Sequence, residues 1–237
     1  MTFSMQRMYA IFVKDLKELS KNTFVLTTII MPVVLALFFG RGDAVPLEVH
    51  FLVFNTAFAA VAAYIQSVAI AEEKEKNTLR GLMMSPATTV EILTGKSIVS
   101  MGMTVLTIVL CIRLLGFETA NWLLVGAGMA VSLVLFTAIG TLIGLLTRTL
   151  MEASVVITPF IFILGMGTIF AEMLQGNVIL TVAEYLPNFQ LEYLAAAVES
   201  GAATGEIAGH FALLLGWTAA VIAATALVYR KREMGSE

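Results

Sequence analysis

The sequence has unusually little charge. Only 13% of its 237 residues are Asp, Glu, Lys or Arg, and 59% are hydrophobic, whereas an ordinary soluble domain is about a quarter charged. A soluble chain of this length distributes charge along its whole surface, but here the charge is confined to a few short segments. The composition therefore excludes an ordinary soluble enzyme and indicates a protein surrounded mostly by lipid.

Cysteine and histidine are nearly absent. The single cysteine, Cys111, excludes an internal disulfide, and we interpret it as a packed side chain within an apolar stretch. The two histidines, His50 and His210, fall near the ends of different apolar stretches, which argues against a metal site. The string Gly95-Lys96-Ser97 resembles the end of a phosphate-binding loop, but Val90 stands where that loop needs glycine. Because this phosphate-loop pattern is incomplete, we expect no ATPase site in this chain.

Six stretches without Asp, Glu, Lys or Arg have lengths suited to the hydrocarbon core of a membrane. A spanning helix needs about 20 mostly apolar residues, and the third stretch reaches this length if Arg113 extends to the interface. The sequence therefore predicts an all-α integral membrane protein with six spans in one domain, residues 1–237. The predicted spans are 22–40, 49–71, 97–117, 119–147, 153–171 and 207–229.

The basic residues lie almost entirely on one side of the predicted membrane. Twelve of the 14 Lys and Arg residues fall before the first span, between spans two and three, between spans four and five, or after the sixth. Loops rich in Lys and Arg stay in the cytosol. From Met151 to Tyr229 the chain has no Lys or Arg. We predict that both chain ends are cytosolic.

Residues 1–21 have an amphipathic pattern. Met5, Tyr9, Phe12, Leu16 and Leu19 recur at helical spacing, and the charged residues fall elsewhere on the helical wheel. We predict a helix that lies in the plane of the inner leaflet and leads into the first span. Such a helix serves either as a plain anchor or as a contact for a partner.

The segment between spans five and six, 172–206, is apolar but interrupted by Gly176, Asn177, Pro187 and Asn188. Irregular backbone at membrane depth is tolerated only where protein or water covers it. We predict two short re-entrant helices in the outer leaflet, at 173–183 and 189–198. An ordinary interfacial loop is the alternative.

The cytosolic segment 72–86, between spans two and three, is the most informative part of the sequence. Leu79, Leu82 and Met83 stand at positions i, i+3 and i+4, so a short helix here presents a small apolar knob surrounded by charge. Pro86 ends this helix before the chain returns to the membrane. A knob of this kind fits a groove on a partner protein and transmits force when the partner moves. A solvated loop is the alternative interpretation.

At this segment the sequence resembles the permease subunits of type-two ATP-binding-cassette (ABC-2) exporters. Members carry a charged run, a small residue, Thr-Leu, a proline and, further along, Gly-Lys at the start of the third span. The matching residues are Glu73, Glu75, Thr78, Leu79, Pro86, Gly95 and Lys96. Asn77 departs from the usual glycine. The resemblance extends over the whole chain, since the family also has an amino-terminal interface helix, six spans and a proline, here Pro187, between spans five and six.

The resemblance implies a dimeric permease that pairs with a second copy or a related chain in the cytoplasmic membrane of a prokaryote. Each permease would dock a separate ATPase subunit that binds ATP and Mg²⁺, so this chain would bind no cofactor, no metal and no nucleic acid. Segment 72–86 would be the coupling helix. The residues expected to contact the ATPase subunit are Glu73, Glu75, Thr78, Leu79, Arg80, Leu82, Met83, Pro86, Lys14 and Lys17.

The same resemblance limits the class of substrate. Members export drugs, antimicrobial peptides, polysaccharides and lipid-linked glycans, and a permease without large outer domains is more similar to the drug or peptide exporters. The pathway would lie at the dimer interface. Its expected lining, for which ordinary packing is the alternative role, is Phe54, Phe58, Phe160, Phe162 and Met166. A hypothesis from a different class is a non-transporting immunity or assembly factor that binds partners through the same cytosolic helix.

Overall fold

The computed structural model describes residues 13, 17, 23–42, 44–76, 89–170 and 178–234, and these form helices and connecting turns without any strand. We number the longer helices in chain order. They are α1 (Thr23–Phe39), α2 (Leu47–Glu75), α3 (Thr89–Leu115), α4 (Trp122–Leu146), α5 (Leu150–Gly165), α6 (Val178–Ala183), α7 (Pro187–Glu199) and α8 (Thr204–Met234). A 3₁₀ turn, Gly167–Phe170, follows α5.

Four of the described helices are long and apolar enough to cross a membrane, namely α2, α3, α4 and α8. Two others, α1 and α5, are apolar but shorter. The prediction of an all-α, multi-pass membrane protein is confirmed in this general form, and the count of six spans stays a prediction. The residues outside the described structure include most of the predicted interface helix 1–21, all of 77–88, the last residue of the predicted fifth span and residues 172–177 of the predicted re-entrant segment.

Helix α2 lies at the centre of the bundle. Its apolar part is 100% buried, compared with 17% for α8. The middle of α2, Phe58–Ala63, is a π-helical segment that is rich in alanine, and side chains of this size let neighbouring helices approach closely. Helix α2 is therefore the most buried of the four long apolar helices.

Two glycines bring α4 into backbone contact with α2. Gly140 and Gly144 stand one turn apart, the spacing that favours close helix packing. A Cβ atom at Gly140 would overlap the carbonyl of Ala63, and one at Gly144 would lie 2.6 Å from the carbonyl oxygen of Ser67. Only glycine fits at these two positions.

Helix α5 also ends in a π-helical turn, Ile161–Gly165. Pro159 stands just before it, and because proline lacks an amide hydrogen the regular helical bonding is interrupted there. This turn packs on α2, where the Thr56 hydroxyl donates a hydrogen bond to the Gly165 carbonyl at 3.2 Å. The irregular turns of α2 and α5 are thus neighbours within the bundle.

Candidate functional site

Charged side chains gather at the end of α2 that precedes segment 77–88. Helix α2 ends in a run of acidic and basic residues, and α3 contributes one lysine to the same place. We call Glu73, Lys74, Glu75 and Lys96 the charged junction. Each of the four makes a contact that fixes α2 to another helix.

The central contact of the charged junction is a buried ion pair. Lys96 Nζ lies 3.1 Å from Glu73 Oε1, and the two side chains are 1% and 3% exposed. Burying either charge alone would destabilise the fold, because a buried ion without its partner loses its hydration and makes no compensating interaction. The pair therefore holds the end of α2 against α3 on the far side of segment 77–88.

Lys74 binds the end of α4. Its Nζ donates hydrogen bonds to the carbonyl oxygens of Leu145 at 2.7 Å and Gly144 at 3.2 Å, and also to that of Thr147. The last carbonyls of a helix have no partner within the helix and carry the negative end of its dipole. A lysine at this place satisfies both requirements, so α2 is fixed to α4.

Glu75 binds the start of α5. Its Oε2 accepts a hydrogen bond of 2.8 Å from the backbone N–H of Leu150. The same turn is capped by Thr149, whose Oγ1 accepts from Glu152 N at 3.1 Å, an arrangement that satisfies the free amides of a helix start. Helix α2 is therefore joined to α5 as well.

A buried glutamine supports the charged junction from inside the bundle. Gln66 Nε2 donates to Thr141 Oγ1 at 3.0 Å and to Ser97 Oγ at 3.2 Å, and Gln66 Oε1 accepts from Ser100 Oγ at 2.9 Å. Both polar atoms of this amide have partners, which removes the usual cost of burying it. Polar contacts therefore hold the end of α2 to α3, α4 and α5, and Gln66 adds contacts to α3 and α4 deeper in the bundle.

A family model for ABC-2 family transporter proteins matches residues 48–227. The chain belongs to the ABC-2 transporter family. The match contains the whole charged junction together with α3, α4, α5 and α7. A search of curated protein sequences found no match.

Membership of the ABC-2 transporter family has two direct consequences. The chain is the membrane part of a transporter, and proteins of its family have no ATPase site of their own. The expectation of a permease-type protein without an ATPase site of its own agrees with this result. The dimer, the ATPase partner and the substrate stay predictions.

Only part of the predicted coupling set lies in the described region of this ABC-2 transporter. Glu73 and Glu75 are in the charged junction, and Lys17 is exposed on a helix. Because Glu73 is buried against Lys96, the structure places it where it supports the segment from within the bundle. The remaining predicted residues lie outside the described residues and are Lys14, Thr78, Leu79, Arg80, Leu82, Met83 and Pro86.

The predicted pathway residues fall into two groups. Phe54 and Phe58 are buried in the core, where Phe54 packs edge-on against Phe51 and Phe58 stacks on Phe136 with ring centroids 5.7 Å apart. Phe160 and Phe162 are exposed on α5, and Met166 follows its last turn. The structure does not bring the five together on one surface of the chain, and their role in a pathway stays a prediction.

Sequence reasoning did not assign Lys74 or Gln66 a role. The signal for Gln66 was its position within an apolar stretch, since a polar side chain buried there must have hydrogen-bonding partners. Lys96 stood out in the sequence only through the family pattern and the Gly95-Lys96-Ser97 string, neither of which predicts a buried ion pair. Its pairing with Glu73 joins residues that are 23 positions apart.

Proposed function

We propose that this chain is the membrane-spanning permease subunit of an ATP-driven exporter. Two copies, or this chain and a related permease, form the substrate pathway, and each docks a separate ATPase subunit through segment 72–86. The family match supports the transport role. Permeases of this family generally work with an ATPase subunit, which supports the partner.

The observation that carries the proposal is the anchoring of both ends of segment 77–88. Before the segment, Glu73, Lys74 and Glu75 hold the end of α2 to its neighbours. After it, Lys96 holds α3 to α2 through the same Glu73. A displacement of the segment therefore reaches α2, α3, α4 and α5 through short polar contacts. This is the mechanical requirement for coupling to a partner that moves.

The side chains of the segment itself provide the docking chemistry. Leu79, Leu82 and Met83 stand at helical spacing in the sequence, and in a helix they would give one apolar face that suits a hydrophobic groove. The exposed pair Lys76–Glu72, at 2.6 Å, supports the last turn of α2 that leads into it. The ATPase subunit binds ATP and Mg²⁺, and this chain transmits its movement.

We propose a drug, an antimicrobial peptide or a lipid-like molecule as the substrate. The exposed face of α5 is apolar and includes Phe160, Phe162 and Ile163, and such a surface suits an amphiphilic substrate or a second permease copy. In this arrangement the two α5 helices of a dimer line the pathway. The buried Phe54 and Phe58 support this lining from the core of the bundle.

The proposal is tested by replacing Leu79 and Leu82 together with glutamate. The tagged full chain is purified from gentle detergent, and the proteins that accompany it are identified by mass spectrometry. We expect a soluble ATPase subunit in comparable amount with the unmodified chain, and its loss from the double variant, because two carboxylates do not fit an apolar groove. Substrate-stimulated ATPase activity is expected to disappear as well, with normal membrane insertion.

Met84→Glu is the matched control, because Met84 falls on the opposite face of the same predicted helix. It should leave the ATPase subunit bound. If the double variant also retains the ATPase subunit, the coupling assignment is wrong. If the unmodified chain brings down no ATPase subunit at all, a non-transporting immunity or assembly factor becomes the better explanation.

A further inference from the structure

Four polar side chains meet near the other end of α2, where α7 and the 3₁₀ turn pack against it. We call Asn55, Thr168, Asn188 and Glu192 the amide cluster. Asn55 Nδ2 donates to the backbone carbonyl of Asn188 at 3.2 Å. Asn188 and Glu192 lie one turn apart on α7, and the Thr168 side chain neighbours the Glu192 carboxyl. The cluster therefore joins three elements that are distant in the sequence.

Each member of the amide cluster has a buried side-chain oxygen without a hydrogen-bond partner. These atoms are Asn55 Oδ1, Thr168 Oγ1, Asn188 Oδ1 and Glu192 Oε2. Asn55 and Asn188 are fully buried, and Thr168 is 9% exposed. Thr168 is close to Glu192 but makes no hydrogen bond of ordinary geometry with it. Buried polar atoms in proteins almost always have a partner, so four such oxygens on elements that pack against one another indicate a missing one.

The orientation of both amides is set by their surroundings. Asn55 Nδ2 faces the carbonyl of Asn188, and Asn188 Nδ2 faces the carbonyl of Ile163 at 3.3 Å. A carbonyl oxygen only accepts hydrogen bonds, so the amide nitrogen must face it and the amide oxygen must point elsewhere. The unpartnered atoms are therefore oxygens in both cases.

The charge around the amide cluster is negative. Glu48, exposed on α2, is close enough for its charge to act on Glu192. The chain contains no Lys or Arg from Met151 to Tyr229, the stretch that provides α7 and the 3₁₀ turn. Two amide oxygens, a hydroxyl and one or two carboxylates form the kind of ligand set that hard cations prefer.

The residues around Asn188 are tightly packed. Asn188 is fully buried, and a Cβ atom at Gly167 would lie 3.3 Å from Asn188 Nδ2. Glu192 is partly exposed and Glu48 is exposed, so the cluster lies next to the surface of the bundle. Tight packing favours a small ion over an organic ligand at this place.

We propose that the amide cluster binds one small hard cation, Na⁺ or Ca²⁺, between α2 and α7. Asn55, Thr168, Asn188 and Glu192 provide the oxygens, and Glu48 adds a second carboxylate when the ion is divalent. Mg²⁺ is a poorer fit because it requires a tight octahedral shell and retains its water. The bound ion fixes the short helix α7 to the central helix α2. This inference is independent of the coupling function.

The test is a cation titration of the purified full chain, followed by thermal unfolding. Trp217 is a suitable fluorescent probe, since its Nε1 donates to the carbonyl of Tyr185 just before α7. NaCl, CaCl₂ and MgCl₂ are compared at an ionic strength held constant with choline chloride. We expect a saturable rise in Tm with Na⁺ or Ca²⁺ and a smaller or absent response to Mg²⁺ and choline.

Substitutions locate the ion. Glu192→Gln should weaken the cation affinity by about tenfold or more, as expected for loss of a charged ligand. Thr168→Val should weaken it less, and it keeps the shape of the side chain, so it serves if Glu192→Gln fails to fold. Glu206→Gln is the matched control, because Glu206 is exposed at the start of α8 and its loss removes the same charge.

The two ions are distinguished by Glu48→Gln, which should weaken Ca²⁺ binding and leave Na⁺ binding nearly unchanged. The absence of a saturable rise with either ion in the unmodified chain would overturn the proposal. An equal response to all salts, or an unchanged response in both Glu192→Gln and Thr168→Val, would also overturn it.

Discussion

The two ends of α2 carry buried amides with different partners. Gln66, near the charged junction, faces hydroxyl groups of Ser97, Ser100 and Thr141, and a hydroxyl both donates and accepts. Asn55 and Asn188, in the amide cluster, face backbone carbonyls, which only accept. The first amide is therefore fully satisfied, whereas each of the other two has an oxygen left over.

The two ends of α2 therefore suit different functions. The charged junction is complete within the chain, since Lys74, Lys96 and Glu75 all bind groups of neighbouring helices. Such an assembly is suited to transmitting movement. The amide cluster is complete only with something added, which is the property of a binding site.

The largest effect is expected from breaking the ion pair of the charged junction. Lys96→Met removes the cation that lies 3.1 Å from the buried Glu73 carboxylate, and loss of one member of such a pair should destabilise the chain by about 3–5 kcal/mol. Thermal unfolding in detergent measures the loss. Lys76→Met is the control, because Lys76 and Glu72 form an exposed pair that contributes at most about 1 kcal/mol. Equal effects of the two substitutions would show that the buried pair does not fix α2 to α3.

A smaller effect is expected from separating α2 and α4 next to Gln66. Gly140→Ala places a methyl group against the Ala63 carbonyl, and overpacking of this kind costs about 1–3 kcal/mol. Gly126→Ala in the same helix is the control, since nothing lies within 4 Å of its Cβ position. That control should be neutral or slightly stabilising in thermal unfolding. If both glycines tolerate alanine equally, the close contact of the helices is not required.

The smallest of the three effects concerns pH at the amide cluster. Burial, and then the charge of Glu48, raise the pKa of Glu192 from 4.5 to about 7, while Thr168 opposes the shift. Because the folded pKa is the higher one, the stabilising contribution is complete below the unfolded pKa near 4.5 and is lost as pH rises through about 7. The Tm in choline buffer should therefore fall from pH 5 to pH 8.

Glu192→Gln should remove most of this pH dependence. Glu48 of α2, His210 of α8 and Tyr193 of α7 also face this region, and they contribute to both proteins alike. The comparison of the two slopes therefore isolates Glu192. A slope unchanged by the substitution would mean that the Glu192 carboxyl titrates as it does in water, against the view of the cluster as a buried oxygen site.

Charge-free stretches predicted the helical class, but a stretch without charge does not show where its helix ends. Residue 71 was the predicted end of the second span, whereas α2 continues to Glu75. The prediction treated charge as a mark of water. In α2 the charges of Glu73 and Lys74 are instead satisfied inside the protein, so the helix continues through them.

The functional sites were predictable only where the sequence pattern is local. The apolar face at Leu79 and Leu82 could be read from spacing, although it lies outside the described residues. The amide cluster could not, because Asn55 and Thr168 each lie inside a charge-free stretch and the contact of Asn55 with Asn188 joins positions 133 residues apart. Such contacts depend on how the helices pack, which a single sequence does not reveal.

The π-helical segment Phe58–Ala63 lies between Asn55 and Gln66 on α2. A π turn contains one residue more than the α turn it replaces, and each added residue rotates the side chains that follow by about 100° around the helix axis. The angular phase of α2 is therefore set separately on its two sides. Asn55 faces α7, while Gln66 faces α3 and α4. The π turn therefore lets a single helix contact both sets of neighbours. In a regular helix of the same length, the two side chains would have a different angle to each other and could not reach both sets.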